Sequence, residues 1–351
     1  MSFISVVSVV SVTTSAQKQE FCAIAPGLLP NQLDQQQADQ HLVAYVAGKA
    51  AARCSLWWRA VPSAAGQRVG CIGHYAAADR AAAAELLAVA SAQLAAAGCT
   101  FAVGPLDGST FRAYRFVTQQ SYNGSIRPPF LLEPDNPDAW PDDFIGAGFT
   151  PWIEYVSSLA ALQGVDLRLE KLTPTIEAQG IHLRCLDPGI SDPTHFGPSH
   201  FEKELSRIYP LVMAAFAENP LFAPISCAEF VAQYAPVRTL LSPDLVVLAE
   251  RGNEVVGFLF ALPDFAQAQR GETIDTVIFK TLAVSPALAG LGLGSLLAAT
   301  VHTKAYQLGY RWAIHALMHV ENRSRRISAH NAQPFRGYTL FARPLTPTAG
   351  L

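Results

Sequence analysis

The sequence predicts an α+β protein built from two similar halves, and three observations carry that prediction. The first is order. Strand-type runs "HLVAYVA", "ARCSLWW" and "GQRVGCIGHY" precede the Ala-rich helical stretch "DRAAAAELLAVASAQLAAAG" and the strand "CTFAV". Later, "DLVVLAERGNEVVGFLFALPD" and "TVIFKTLAVSP" precede the helical "SLLAATVHTKAYQLG" and the strand "RWAIHALMHV". The second is spacing: Leu86 to the helix-closing Gly98 is 12 residues, and Leu296 to Gly309 is 13. The third is composition. Half of the 351 residues are apolar and 15% are charged, enough apolar material for two cores of ordinary size.

Each element has a local cause. "DLVVLAE" and "EVVGFLFALPD" are apolar runs joined across "RGNE", which makes them a hairpin. "IHLRCLD" is a strand, and "HFEKELSRIYPLVMAAFAENP" and "CAEFVAQYAPV" are helices. "PFLLEPDNPDAWPDDFIGAGFTPWIEYVSSLAAL" supplies turns, a short helix and a strand. The opening "MSFISVVSVVSVTTSAQ" has no basic residue ahead of its apolar stretch, and Ser and Thr interrupt it. It reads as a strand or a loosely held leader in preference to a secretory signal.

Composition also narrows the function classes. A net charge of −3 without a Lys/Arg block argues against nucleic acid or an anionic membrane surface as a partner. No run approaches bilayer-spanning length. The six cysteines are scattered, with no CxxC pair, which points to reduced thiols in a cytoplasmic protein and to no metal site.

The stretch "VSPALAGLGLGSLL" carries most of the functional information. A strand feeds a glycine-rich turn into a helix, so unpaired backbone N–H groups stand in front of the positive end of a helix dipole. Such an end suits a phosphate or pyrophosphate, and glycine permits close approach and positive φ. The P-loop pattern fails because no lysine precedes Ser295, and the GxGxxG pattern fails because Leu297 or Ser295 stands where its third glycine belongs.

What remains is Val284, Pro286, Gly290, Gly292, Gly294 and Leu297, in an order that resembles motif A of the GNAT superfamily of acyl-CoA-dependent N-acyltransferases. The resemblance takes in "VVGFLFALPD" and "ALMHVENRSRR" and covers most of residues 180–351, with the first half resembling a degenerate second copy. It implies two domains, 1–170 degenerate and 171–351 acyl-CoA-binding, each a twisted, mostly antiparallel sheet flanked by helices.

It also implies acetyl-CoA, or another acyl-CoA, as co-substrate and a small-molecule or peptide amine as acceptor. Backbone groups of Leu282, Ala283 and Val284 would pair with the pantetheine arm. The amides from Ala289 through Gly290, Leu291, Gly292, Leu293 and Gly294 to Ser295 would cradle the pyrophosphate. Two departures stand out. Ala289 occupies a place where the family has Arg or Gln. The family's acidic tyrosine, seven residues after the Asn that Asn322 resembles, falls at Ala329, with His330 beside it and Tyr338 farther on. A non-catalytic acyl-CoA-binding or regulatory module is therefore the rival expectation.

Other candidates keep two readings. Asn322 suits a helix N-cap or a cofactor contact. His315 and His319 share one face of a strand, as packed side chains or, for His319 nearer the mouth, as a base. Asp275 starts its strand, as a surface charge or as the acid that relays the amine's proton in the resembling family. In "GPLDGSTFRAYRF", Asp107, Ser109 and Thr110 fit a turn or a pocket wall, and Arg115 is the position whose fork suits a substrate carboxylate. The first half has no glycine triplet before its helix, so one active site per chain is expected, with that half shaping the acceptor pocket. The acidic run holding Asp138, Asp142 and Asp143 would favour a cationic amine if it rims that pocket. The acceptor itself and the oligomeric state leave no mark in the sequence.

Overall fold

A computed structural model describes residues 6–346 except 63, 65, 123, 187–197, 235–237, 239 and 322–331. The first half runs β1 (Val7–Ser11), α1 (Ser15–Ala23), α2 (Pro30–Gln35), β2 (Gln40–Val46), β3 (Lys49–Trp57) and β4 (Val69–Ala77). It continues with α3 (Arg80–Ala96), β5 (Phe101–Gly104), β6 (Phe116–Gln119), α4 (Ala139–Gly146) and β7 (Thr150–Ala161). The second half opens with α5 (Arg168–Glu177), β8 (Ile181–Cys185), α6 (Pro198–Phe216), α7 (Cys227–Tyr234), β9 (Val246–Arg251) and β10 (Glu254–Pro263). It closes with α8 (Phe265–Gln269), β11 (Thr276–Val284), α9 (Leu293–Gln307), β12 (Trp312–His319) and β13 (Ala332–Pro344).

Among the described residues all 13 strands belong to one sheet, ordered β1-β2-β3-β4-β5-β13-β7-β12-β11-β10-β9-β8, with β6 alongside β13. Pairing is antiparallel except for β4–β5 and β11–β12, the two pairs that a long helix connects. The repeat is visible in the order: four antiparallel strands, a helix and a parallel strand occur in each half. The closing strands cross over. β7, at the end of the first half, pairs with β12, and β13, at the end of the second, pairs with β5. They lie side by side in the middle, from Ala332↔Ala160 to Ala342↔Thr150.

Helices cover both faces. α3 packs Leu86, Leu87, Ala90 and Leu94 onto the first half, and α9 packs Leu293, Leu296, Leu297 and Val301 onto the second. α6 and α7 close the opposite face of the second half through Phe201, Leu205, Ile208 and Phe230. Alanine lets α3 sit close to its strands, and a Cβ at Gly257 of β10 would come within 3.1 Å of Leu297 Cδ1. Leu297 is 0% exposed. Leu297→Ala is expected to lower the unfolding free energy by about 2–5 kcal/mol, the usual cost of a leucine-sized core cavity, as a lower urea midpoint at unchanged slope.

The strand and helix order read from the sequence is present, including β1 in the opening segment and the β9–β10 turn at Gly252 and Asn253. α1, α2, α5 and β13 lacked a clear signal. β13 contains Pro334, Arg336 and Gly337, which break strand alternation, and its register against β7 shifts between Pro334 and Arg336.

Candidate active site

The site begins where two parallel strands part. β11 and β12 pair from Thr276↔Trp312 to Phe279↔His315 and no farther, although β11 runs on to Val284 and β12 to His319. Each strand has a local reason to turn away. On β11, Phe260 of β10 faces Thr281 while Ala261 faces Phe279, so Lys280 is an extra, bulged residue. On β12, the register against β7 shifts between His315 and Met318, and Leu317 adopts φ 56°. From Lys280 to Val284, the edge of β11 that faces β12 has no strand partner among the described residues.

The notch opens into a cavity of about 840 Å³ that crosses from one half of the chain into the other. The second half supplies Phe279, Lys280, Leu282, His315 and His319, with Phe222 from the segment after α6. The first half supplies Asp107, Thr110, Arg112, Arg115, Glu133 and Tyr155. The N-terminal half thus supplies part of the cavity wall. The acidic run lines the cavity through Glu133, Pro134, Asp135, Asn136 and Trp140, whereas Asp138 accepts from Gln120, and Asp143 accepts from Tyr75 Oη at 2.8 Å. The charge argument for a cationic acceptor loses Asp138, Asp142 and Asp143 and keeps Asp135, since Glu133 is paired with Arg336.

Arg115 is 8% exposed and adopts φ 65°. Its guanidinium lies in the corner formed by the edge-to-face rings of Tyr114 and Tyr155, 3.9 and 4.2 Å from their centroids. Nη1 donates to the Leu317 carbonyl at 3.2 Å, and Nε has no hydrogen-bond partner. Lys280 is enclosed, and burial first, then the charge of Arg115, lowers its pKa to about 8, with Glu133 opposing. Glu133 is itself engaged by Arg336 Nη1 at 2.5 Å and by the Tyr338 hydroxyl, and burial raises its pKa.

His315 lines the notch and stacks on Phe279. Its Nε2 lies 2.9 Å from His302 Nε2 on α9, and His302 Nδ1 lies 3.6 Å from Asp166 Oδ2. Burial, then His302, holds the His315 pKa well below 6.5, so its imidazole is neutral. His319 rests edge-on against Tyr155, and burial lowers its pKa as well.

At the end of β11 a three-ten turn, Pro286–Leu288, leads into the glycines. Gly290 and Gly292 take φ 89° and 85°, conformations that glycine adopts without strain. Gly292 is the N-cap of α9, Gly294 falls inside its first turn, and no side chain caps this helix. The first-turn amides of Leu293, Gly294 and Ser295 therefore have no intrahelical acceptor. The equivalent helix of the first half differs: the Asp79 carboxylate caps α3, accepting from Ala82 N at 2.8 Å. The equivalent notch differs too. Leu106 N donates to Ile72 O at 2.8 Å, His74 N donates to Asp107 Oδ1 at 2.6 Å, and a Cβ at Gly73 would meet Leu106 O at 2.5 Å. Residues 104–107 thus fill the space between β4 and β5.

Of the candidates read from the sequence, His319 and Leu282 line the cavity, and His315 forms the floor of the notch. Ala283 and Val284 continue the unpaired edge towards the loop from Ala289 to Ser295. Asp275 is elsewhere, at the opposite end of β11, where Gln267 and Thr276 donate to its carboxylate at 2.8 Å. Tyr338 is 1% exposed and does not line the cavity; its hydroxyl donates to Glu133 and lies 2.9 Å from Ser157 Oγ. Asn322 and its neighbours Ala329 and His330 lie outside the described residues. Lys280, Glu133 and Tyr155 had gone unnoticed. For Lys280 a signal existed, a lone charge inside "TVIFKTLAV". Among the described residues no group of His, Cys, Asp and Glu is arranged to hold a metal ion, and no helix is long and apolar enough to cross a membrane.

Comparison with known proteins agrees with this architecture. Residues 211–327 match the acetyltransferase (GNAT) family. No curated protein sequence matches the chain. Among solved structures, a GCN5-related glucosamine N-acetyltransferase region of a fungal multi-domain GH3 β-N-acetylglucosaminidase superposes with TM-score 0.56 at 12% identity. That match covers 97% of this chain and 38% of the other, so the chain spans well under half of that protein. A GCN5-related N-acetyltransferase from Sphaerobacter thermophilus superposes with TM-score 0.52 at 13% identity, over 98% of both chains. One from Anabaena variabilis gives 0.51 at 10% identity, over 97% of this chain and 73% of the other. At these identities the likeness is one of fold.

Proposed function

We propose that this protein, whose fold is that of the GNAT acetyltransferases, moves an acyl group from acyl-CoA, acetyl-CoA by default, to an amine in a single direct transfer. One observation carries the reading: α9 is left uncapped behind Gly290 and Gly292 and next to an open strand edge, while α3 is capped by its own carboxylate behind a filled notch. The second half keeps a place for a pyrophosphate and an extended arm, and the first half has closed the corresponding one. On this reading there is one donor site per chain, on the 171–351 side of the proposed domain division, in a cytoplasmic protein.

The donor contributes a thioester carbonyl. Leu282, Ala283 and Val284 offer unpaired backbone groups to its arm, and Gly292 to Ser295 offer amides to its phosphates. The acceptor nitrogen, uncharged, attacks the carbonyl carbon; the new C–N bond forms as the C–S bond breaks. His319, at the cavity mouth with a lowered pKa, takes the proton released by nitrogen and returns it to the departing thiolate. Asn322 is proposed as a donor-side contact. Tyr338 acts behind Glu133 as a positioning residue, and Asp275 takes no part.

The test is thermal unfolding with and without acetyl-CoA, followed by thiol detection with a panel of amines. Acetyl-CoA at about 100 times its dissociation constant is expected to add about 2.7 kcal/mol to stability, and at least one amine to release free CoA. A melting shift with no thiol release from any amine would favour the binding-module reading. No shift at millimolar acetyl-CoA would end both.

A further inference from the structure

We propose that the acceptor is an aminocarboxylate with an apolar body, held by its carboxylate between Arg115 and Lys280 with its amine directed to the notch between β11 and β12. This rests on the acyl-transfer reading above. The two cations come from different halves of the chain and from backbone irregularities, Arg115 at φ 65° and Lys280 at a strand bulge, and both line the one cavity.

Of the acids that share the cavity, Glu133 has its counter-charge, Asp107 is held by hydrogen bonds and Asp135 faces solvent. Glu133 is neutralised by Arg336 and hydrogen-bonded by Tyr338. Asp107 accepts from His74 N, with His74 Nε2 3.5 Å from its second oxygen, and Arg112 donates to the Asp107 carbonyl. Asp135 sits exposed at the rim. Arg115 and Lys280, by contrast, make no ion pair among the described residues, and Arg115 Nε has no hydrogen-bond partner. Keeping two unmatched cations in one enclosure is costly, and Arg115 makes the charge of Lys280 harder to hold. A ligand carboxylate removes that cost for both.

Geometry favours a planar anion. Tyr114 and Tyr155, edge-to-face with each other at 5.7 Å, both lie against the Arg115 guanidinium and Leu317 O takes one Nη1 proton, so the fork is held in one orientation. Around it the wall is aromatic: Phe111 and Phe222 pack at 5.9 Å, and Tyr234 packs against Phe260 at 5.6 Å. That surface suits an aromatic or branched side chain and offers little to a sugar or a polyamine.

The experiment compares L-phenylalanine, 3-phenylpropanoate and phenethylamine as probes of CoA-loaded full-length protein by titration calorimetry, and as acceptors by thiol release. The expected result is binding of both carboxylates, weak or absent binding of phenethylamine, and turnover of phenylalanine ahead of phenethylamine by at least tenfold in kcat/KM. Arg115→Gln and, separately, Lys280→Gln are each expected to weaken phenylalanine by about 10- to 100-fold, the usual worth of a charge-assisted contact, with acetyl-CoA affinity retained. Lys280→Gln serves if Arg115→Gln unfolds, because Lys280 makes no ring contact with Tyr114 or Tyr155 among the described residues. Phenethylamine binding as tightly as phenylalanine, no binding of either carboxylate at 10 mM, or unchanged affinity in both variants would overturn the proposal. Carboxylate binding without any acetyl-CoA binding would instead sink the acyl-transfer reading and leave an anion site.

Discussion

Gly292→Asp is expected to abolish acetyl-CoA binding and leave the chain folded. Three effects act in the same direction. Gly292 holds φ 85°, where a side chain is strained by about 1–2 kcal/mol, although Asp tolerates this region better than most residues. A Cβ there would lie 3.0 Å from Leu172 Cδ2, the far end of a flexible side chain on α5, so the helix survives a small shift. The decisive effect is charge. A carboxylate at the N-cap accepts the amides meant for phosphate, as Asp79 does on α3, and repels the phosphates themselves. The affinity should fall by at least 100-fold, about 2.7 kcal/mol, and the acetyl-CoA melting shift of the wild type should vanish. Gly290→Ala is the control: a Cβ there meets nothing within 4 Å, so it should cost backbone strain and much less binding. If Gly292→Asp binds within threefold of wild type, the loop is not the phosphate site.

The second large effect is on stability. Arg336 is 2% exposed in the central strand β13, and the Glu133 side chain facing it is fully buried. Arg336 also donates to the Arg127 carbonyl, and Tyr338 donates to the other Glu133 oxygen. Arg336→Met leaves a buried carboxylate without its counter-charge and should cost about 3–5 kcal/mol. Adding Glu133→Gln should recover much of that loss, because an amide is cheaper to bury than an unpaired charge. The pH dependence follows from the same charge. In Arg336→Met the folded Glu133 pKa rises further above its unfolded value, so the folded state binds more protons than the unfolded one between those two values. Stability then increases as pH falls through that window, and the deficit against wild type narrows. Urea titrations of wild type, both single variants and the double variant at neutral and mildly acidic pH check this. A deficit that widens on acidification would place the cost elsewhere than on Glu133.

Both predictions show how unevenly the site was legible. The glycine loop was readable because its chemistry is local: a helix N-terminus, its cap and positive φ are set within about six residues. The absence of such a loop before α3 is equally local, and Asp79 caps that helix. Lys280 left a trace as one charge in an apolar strand, but the bulge that aims it depends on register against β10. Tyr338 and Asp275 were candidates through the family resemblance, as a stand-in for the missing tyrosine and as an acid at the start of a strand. Their hydroxyl and carboxylate prove to be engaged by Glu133 and Ser157 in one case and by Gln267 and Thr276 in the other.

By itself the sequence determined the order of strands and helices, the doubling of one unit, and the readiness of one helix end for an anion. Periodicity, turn residues and capping act over single turns and strands, so they are written where they operate. Tertiary structure alone decided that β13 passes between β5 and β7, that both halves share one sheet, and that Arg115 meets a carbonyl 202 residues away at Leu317. Those facts depend on which strand edges find each other and in what register, and a pairing between distant segments leaves no periodic mark in either one.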